Sequence, residues 1–137
     1  METENIFAAF VVAPAITMIR RPLIAATTRA VDHCEFGKIG LPGSKVNESE
    51  SARDAALRGC EEKGWAITGL ADKPYHTAVV YGKPIAWFAA SSAKVLPLYK
   101  EQKHILPMAV TAKSIAQLSY DNEVAMAAWA QSVGWTI

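Results

Sequence analysis

The sequence predicts an α+β or α/β fold in which a mixed β-sheet is sandwiched between helices (α/β/α). Three observations point there. Short apolar or β-branched runs bounded by Pro and Gly recur along the chain. Two segments, near residues 51–63 and 121–133, carry the spacing of amphipathic helices. Their order is strands, helix, strands, helix, with no internal repeat and no low-complexity linker, which suits one domain spanning 1–137.

Ile6 to Ala13 has no turn residue and is followed by Pro14, as expected of a buried strand. Arg20, Arg21 and Pro22 mark a turn. Leu23 to Thr28 reads as a second strand, expected to form a hairpin with the first. Asp32 to Gly37 is a polar loop, and Lys38 to Pro42 a very short strand ended by Pro42 and Gly43. Ser51 to Lys63 is a helix. Ser51 is a good N-cap, Asp54 completes a capping-box pattern, Ala52, Ala55, Ala56 and Cys60 share one side, and Gly64 stops it. Trp65 to Leu70, Tyr75 to Tyr81 and Pro84 to Ala90 read as strands, with a hairpin turn at Gly82 and Lys83. Ser91 to His104 reads as a polar connection, Ile105 to Val110 as one more strand, and Lys113 to Leu118 as a turn or two of helix. The last helix, Asp121 to Val133, is capped by Asp121, ended by Gly134 and apolar along Val124, Ala128 and Trp129.

Composition narrows the partners. Half of the chain, 51%, is apolar, and 14 Lys and Arg against 13 Asp and Glu leave a net charge of +1. No basic tract or basic helix face stands out, so nucleic acid is not a favoured partner. The run Ile6 to Ile16 is too short to span a bilayer and is broken by Pro14, so no membrane is expected. The acidic start lacks the basic region of a signal peptide. Two cysteines, Cys34 and Cys60, stand in no zinc or CxxC spacing and read as reduced thiols. These features describe a cytoplasmic protein, and the apolar content admits a homodimer.

The chemistry concentrates between Phe36 and Trp65. Gly40-Leu41-Pro42-Gly43 leads into the charged helix. At about 100° per residue, Asp54, Glu61 and Glu62 surround Arg58 within an arc of roughly 100°, with the alanine side opposite. That face can hold one divalent ion, or it can be a solvated face with Asp54–Arg58 and Arg58–Glu62 as i,i+4 pairs.

The stretch resembles the Nudix box, a glycine, five residues, a glutamate, seven residues, then R-E-U-x-E-E-x-G-U with U a bulky aliphatic. Anchored on Gly-Leu-Pro-Gly, the pattern puts Ser44 at the first box glycine, Glu50 at the first glutamate, Arg58 at the arginine, Cys60 at the aliphatic place and Glu62 at one metal-binding glutamate. Gly59 and Lys63 occupy the other two glutamate positions. Counted back from Glu61-Glu62-Lys63-Gly64-Trp65, a second register puts Leu57 and Arg58 where the family has R and E. The box is therefore one residue short before Gly64.

The resemblance implies Mg²⁺- or Mn²⁺-dependent hydrolysis of a nucleoside diphosphate linked to another group. Clustered carboxylates suit such hard cations, which neutralise the diphosphate and activate water. The charged helix face offers Asp54, Glu61 and Glu62 as metal ligands; with the resemblance, Glu61, Glu62 and Arg58 are the catalytic candidates, and Gly43, Ser44, Lys45 and Lys63 the candidates to contact the substrate. Glu101, in the late connection, is the candidate base. Lys63 repels a cation and suits direct contact with phosphate. The alternative function is a catalytically decayed Nudix-fold module that binds a nucleotide or a protein without turnover. His33, Cys34 and Glu35 match no metal spacing. Arg20 and Arg21 are either a solvated turn or phosphate contacts. Tyr75, Trp87 and Phe88 are core or base-stacking residues, Cys60 is expected to be inert, and Trp129 and Trp135 anchor the last helix.

Overall fold

A computed structural model describes residues 5–16, 23–28, 39–97, 99, 106–111, 125 and 129. The central strand is β1 (Ala8–Val12), apolar on both faces. It pairs antiparallel with β4 (Gly43–Lys45) and parallel with β7 (Lys83–Ala89), and β7 continues antiparallel to β6 (His76–Val80). A second sheet runs β3 (Ile39–Gly40), β2 (Leu23–Thr28), β9 (Pro107–Thr111), and a third pairs β5 (Trp65–Thr68) with β8 (Ser92–Val95).

Alternation along the strands divides the core into two layers. Ala9, Val11 and Ala13 with Ala86 and Phe88 pack beneath α1 (Ala52–Glu62), against its Ala56 and Cys60. Ala8 and Val12 with Ile85 and Trp87 face the other way, onto Ala125 and Trp129. Both of those residues are helical and fully buried. This is the helix–sheet–helix layering the sequence predicts, and a strand covered on both faces explains why β1 is an unbroken apolar run. The rest of the final helix, and Lys113 to Leu118, lie outside the described residues.

Four details differ from expectation. First, β1 and β2 are not a hairpin. Both edges of β1 are taken by β4 and β7, so β2 meets that end of the chain only at the Pro14↔Ile24 bridge and turns to β3 and β9 instead. Second, the Gly-Pro segment expected to end in a loop continues as β4, because Gly43 presents no side chain to the neighbouring strand. A Cβ there would sit 2.2 Å from the Ala9 carbonyl oxygen. Third, the polar connection after Ser91 contains β8. Only its Ala93 is buried, so four residues carry too little alternation to be read. Fourth, the tight turn is Tyr81–Gly82, both left-handed (φ 50° and 76°), one residue earlier than expected, as a two-residue hairpin turn requires.

Helix α1 begins as its sequence dictates, with the Ser51 hydroxyl accepting from the Asp54 N–H at 3.0 Å. It ends at Lys63, whose N–H bonds back to the Gly59 and Cys60 carbonyls, and Gly64 follows at φ 91°. Trp65 is then delivered into the core, where its Nε1–H donates to the Ala26 carbonyl at 2.8 Å and ties β5 to β2. The helix lies very close to β4. A Cβ on Gly59 would fall 2.4 Å from the Gly43 carbonyl carbon.

Gly59→Ala should therefore cost about 3 kcal/mol, since backbone rather than a flexible side chain would have to move. Gly82→Ala, in open space but at a left-handed φ, should cost only about 1 kcal/mol. Urea unfolding of the two variants checks the contrast.

Candidate functional site

Between β4 and α1 the chain makes a turn closed by two hydrogen bonds. The Asn47 N–H donates to Glu50 Oε1 and the Glu50 N–H to the Asn47 carbonyl, each at 3.0 Å. Inside it, Ser49 sits at φ 68°, which costs a non-glycine residue about 1 kcal/mol. Arg58 locks this turn to the helix. Its Nε and Nη2 donate to the two oxygens of Glu50 at 2.9 and 3.0 Å, a bidentate fork between residues eight apart. Nη1 donates to Glu62 Oε1 at 3.0 Å and to Ser44 Oγ at 3.3 Å, and Nη2 to the Lys45 carbonyl at 2.9 Å.

A guanidinium has five N–H groups, and all five of these are turned toward protein acceptors. Arg58 is thus a clamp on the loop rather than a donor aimed at a ligand. Hydrogen bonds from Arg58, then from the Asn47 N–H, hold the Glu50 carboxyl down at about 2, against a smaller opposing effect of burial. The same pairing raises Arg58 above its ordinary range.

The second cation is Lys63. Its Nζ donates to the Gly43 carbonyl at 2.8 Å, joining the C-terminal end of α1 to the start of β4. Gly59 fills the space one turn earlier with no side chain. The two positions where the Nudix pattern has its other metal glutamates are thus an ammonium on a carbonyl and a point of backbone contact. The first register is the one the structure matches. Glu50 and Arg58 meet, whereas Leu57 packs with the core cluster beneath α1 and cannot serve as the arginine. The missing residue then lies between Lys63 and Gly64.

The carboxylates assigned to metal are not brought together. Asp54 and Glu62 are eight residues apart on one helix, roughly 12 Å along its axis, and Glu61 is about 10 Å from Asp54. That is too far for one ion, and a shared angular face does not shorten it. Asp54 is exposed and does not pair with Arg58, while Glu61 is exposed beside Glu62. Of the two expected i,i+4 pairs, only Arg58–Glu62 forms. Among the described residues no three His, Cys, Asp or Glu are grouped to hold a metal ion. A dication about 4 Å from an ammonium is repelled by roughly 8 kcal/mol at the effective dielectric of a protein surface. The described residues therefore do not fit Mg²⁺ or Mn²⁺ at this loop.

The remaining candidates separate cleanly. Gly43 is buried and contributes its carbonyl, and Ser44 its hydroxyl, to the clamp network. The Lys45 ammonium lies over the Phe7 ring, 5.5 Å from its centroid, and Lys83 shares that ring at 4.2 Å. Tyr75 is half-buried and packs against the core, its hydroxyl donating to the Ala125 carbonyl at 3.0 Å and its pKa raised by burial. Trp87 and Phe88 are buried in opposite layers. Burial pushes the Cys60 thiol up to about 12, which makes it inert as expected. Glu101, Arg20, Arg21, His33, Cys34, Glu35 and Trp135 lie outside the described residues. Arg53 was not anticipated. Its Nε and Nη2 donate to the carbonyls of Ala71 and Leu70 at 3.1 and 3.0 Å, fixing the turn after β5. No motif announces such a side chain, because its acceptors are backbone.

No family model matches the sequence, and no curated protein matches it by sequence. Solved structures do match. A Nudix hydrolase from M. smegmatis, RenU, superposes with a TM-score of 0.62 at 14% identity, covering 95% of this chain and 86% of that one. A mutT/nudix family protein from Listeria innocua gives 0.62 at 19% identity over 97% and 96%. An ADP compounds hydrolase gives 0.67 at 13% identity over 94% and 76%. The fold is that of the Nudix hydrolases. The loop–helix element and the Arg58 clamp lie within that fold, and Gly59 and Lys63 stand at two positions where the Nudix pattern has glutamates. No helix among the described residues is long and apolar enough to cross a membrane.

The Glu50 carboxyl has its pKa depressed in the folded state, from an ordinary 4.5 to about 2. A depressed carboxyl contributes stability that is full above the unfolded pKa and is lost as pH falls through the folded one. Stability should accordingly decline between about pH 4.5 and 2, and Glu50→Gln should flatten that decline. Denaturant midpoints measured across this window test the pairing.

Proposed function

We propose that this chain is a Nudix-fold module that binds a nucleotide or nucleoside-diphosphate derivative without metal-activated hydrolysis. The observation that carries this reading is the Lys63 ammonium on the Gly43 carbonyl, at a position where the Nudix pattern has a metal-binding glutamate. Clustered carboxylates are what a dication needs, and at this position the chain has an ammonium instead. Solved structures of the same fold include the ADP compounds hydrolase and a UDP-X diphosphatase, the latter at TM-score 0.58 and 14% identity over 98% of this chain and 66% of that one. Their ligands suggest the class to try. A site in the cytoplasm suits such ligands and the thiol of Cys60.

A second reading, a Mg²⁺- or Mn²⁺-dependent diphosphate hydrolase, is favoured by one specific feature. The clamp of Arg58 on Glu50 and Glu62 is complete, so one metal-type glutamate is held at the helix end. That reading requires Glu101, or another group outside the described residues, to supply the missing ligand or the base.

A panel of ADP, ADP-ribose and UDP-glucose, with and without Mg²⁺ or Mn²⁺, separates the two. Binding without turnover should stabilise the protein by about 2.7 kcal/mol at a hundred times Kd. For a chain of this length that raises Tm by about 10 °C, with no mononucleotide or phosphate released. Metal-dependent release that disappears on Glu62→Ala would establish the hydrolase instead.

A further inference from the structure

We propose that Lys63 is a tethered counter-ion. Its ammonium stands where a divalent cation would have to be held, and it meets the phosphate of a ligand directly. The phosphate half of this inference rests on the nucleotide-binding reading, whereas the replacement of the ion does not.

Four features converge on the end of α1. The Gly43 carbonyl is a hard oxygen of the kind that ligates divalent ions, and the Lys63 Nζ lies on it at 2.8 Å. Gly59 cannot be exchanged for an acid without moving β4, because a Cβ there would fall 2.4 Å from the Gly43 carbonyl carbon and 2.7 Å from Ser44 Cβ. The residue missing before Gly64 makes Lys63 the helix C-cap, its N–H bonded to the Gly59 and Cys60 carbonyls. The side chain therefore starts from a fixed backbone. Finally, the C-terminal end of a helix carries partial negative charge, so an anion approaching there needs a cation, and an ammonium supplies it through a charge-assisted hydrogen bond.

Glu62 does not compete for this role, since Arg58 holds its Oε1 at 3.0 Å. A lysine that served only to cap the helix would leave ligand and metal affinities unchanged on replacement, and that difference is what the experiment reads.

Mn²⁺ binding is measured by electron paramagnetic resonance, with no nucleotide present, on the wild type, Lys63→Glu and Lys63→Gln. The expected result is uptake by Lys63→Glu at least about tenfold tighter than by the other two. Wild-type uptake as tight as that of Lys63→Glu overturns the proposal without any need for the variants to bind nucleotide. Affinity for ADP is then measured calorimetrically with and without EDTA. Chelator should leave the wild type within about twofold, Lys63→Gln should weaken binding about tenfold, and Lys63→Arg should restore most of it. ADP binding that vanishes with EDTA, or that ignores Lys63→Gln, overturns the phosphate contact while the nucleotide reading stands. No ADP binding under any condition removes that reading and the contact together, and the Mn²⁺ comparison still decides the replacement of the ion.

Discussion

Helix α1 rests on strand β4 with no side chain between Gly59 and Gly43, and the rest of the loop depends on that contact. A Cβ at Gly59 would fall 2.4 Å from the Gly43 carbonyl carbon, while one at Gly43 would fall 2.2 Å from the Ala9 carbonyl oxygen of β1. Close approach brings the end of the helix within reach of the strand's first carbonyl, so a lysine there can donate to Gly43. It also sets the distance over which Arg58 spans from the helix to Ser44, Lys45 and Glu50. The clamp and the ammonium are consequences of one packing decision. A side chain at 59 would push the helix off β4, and one at 43 would push β4 off β1; either would disturb both.

The sheet beneath makes that placement rigid. β1 is bonded on both sides and buried on both faces, so β4 inherits a fixed position from the middle of the domain core. α1 adds Ala56 and Cys60 to the layer below it. Small residues let helix and sheet come close, and Cys60 then loses its reactivity to burial. Trp65, immediately after the helix, anchors its far end through the Ala26 carbonyl. The acidic and basic side chains of the loop are thus mounted on elements packed directly against the buried core.

Much of this was legible in the sequence, for identifiable reasons. Ser51, Gly64 and the alanine stripe announce α1 because capping and periodicity are local properties, and the helix falls within a residue of its expected ends. Strand β2 is found over its whole length for the same reason. Pairing is not local. Nothing in residues 6–13 says that both edges of β1 are already claimed, so the hairpin with β2 was a natural error. The candidate site splits along the same line. The register of the box was ambiguous by one residue, and only packing decides it, because Leu57 goes to the core and Arg58 to Glu50. The expected carboxylate cluster failed for a geometric reason. An angular projection places Asp54 and Glu62 on one face but ignores the roughly 12 Å of helix rise between them. The objection posed by Lys63 could be read from its charge, whereas its partner, a backbone carbonyl twenty residues away, could not.

Replacing a metal by an ammonium is not a neutral exchange, and its asymmetry bears on what such a site can do. A divalent ion in a diphosphate site does two things. It offsets the charge of the phosphates, and it lowers the pKa of a bound water enough to make a nucleophile. An ammonium retains part of the first ability, because a fixed positive charge and a directed N–H still attract a phosphate oxygen. It has none of the second, since it offers no open coordination position where water could be polarised. On the proposed reading, a lysine at the end of α1 together with glycine at the other acid position keeps recognition and deletes chemistry while leaving the arginine clamp and the fold untouched. That separation is why an intact scaffold with Arg58 on Glu50 and Glu62 is compatible with binding alone. On the proposed reading, the acids missing at positions 59 and 63, and no change of fold, separate binding from hydrolysis in this chain.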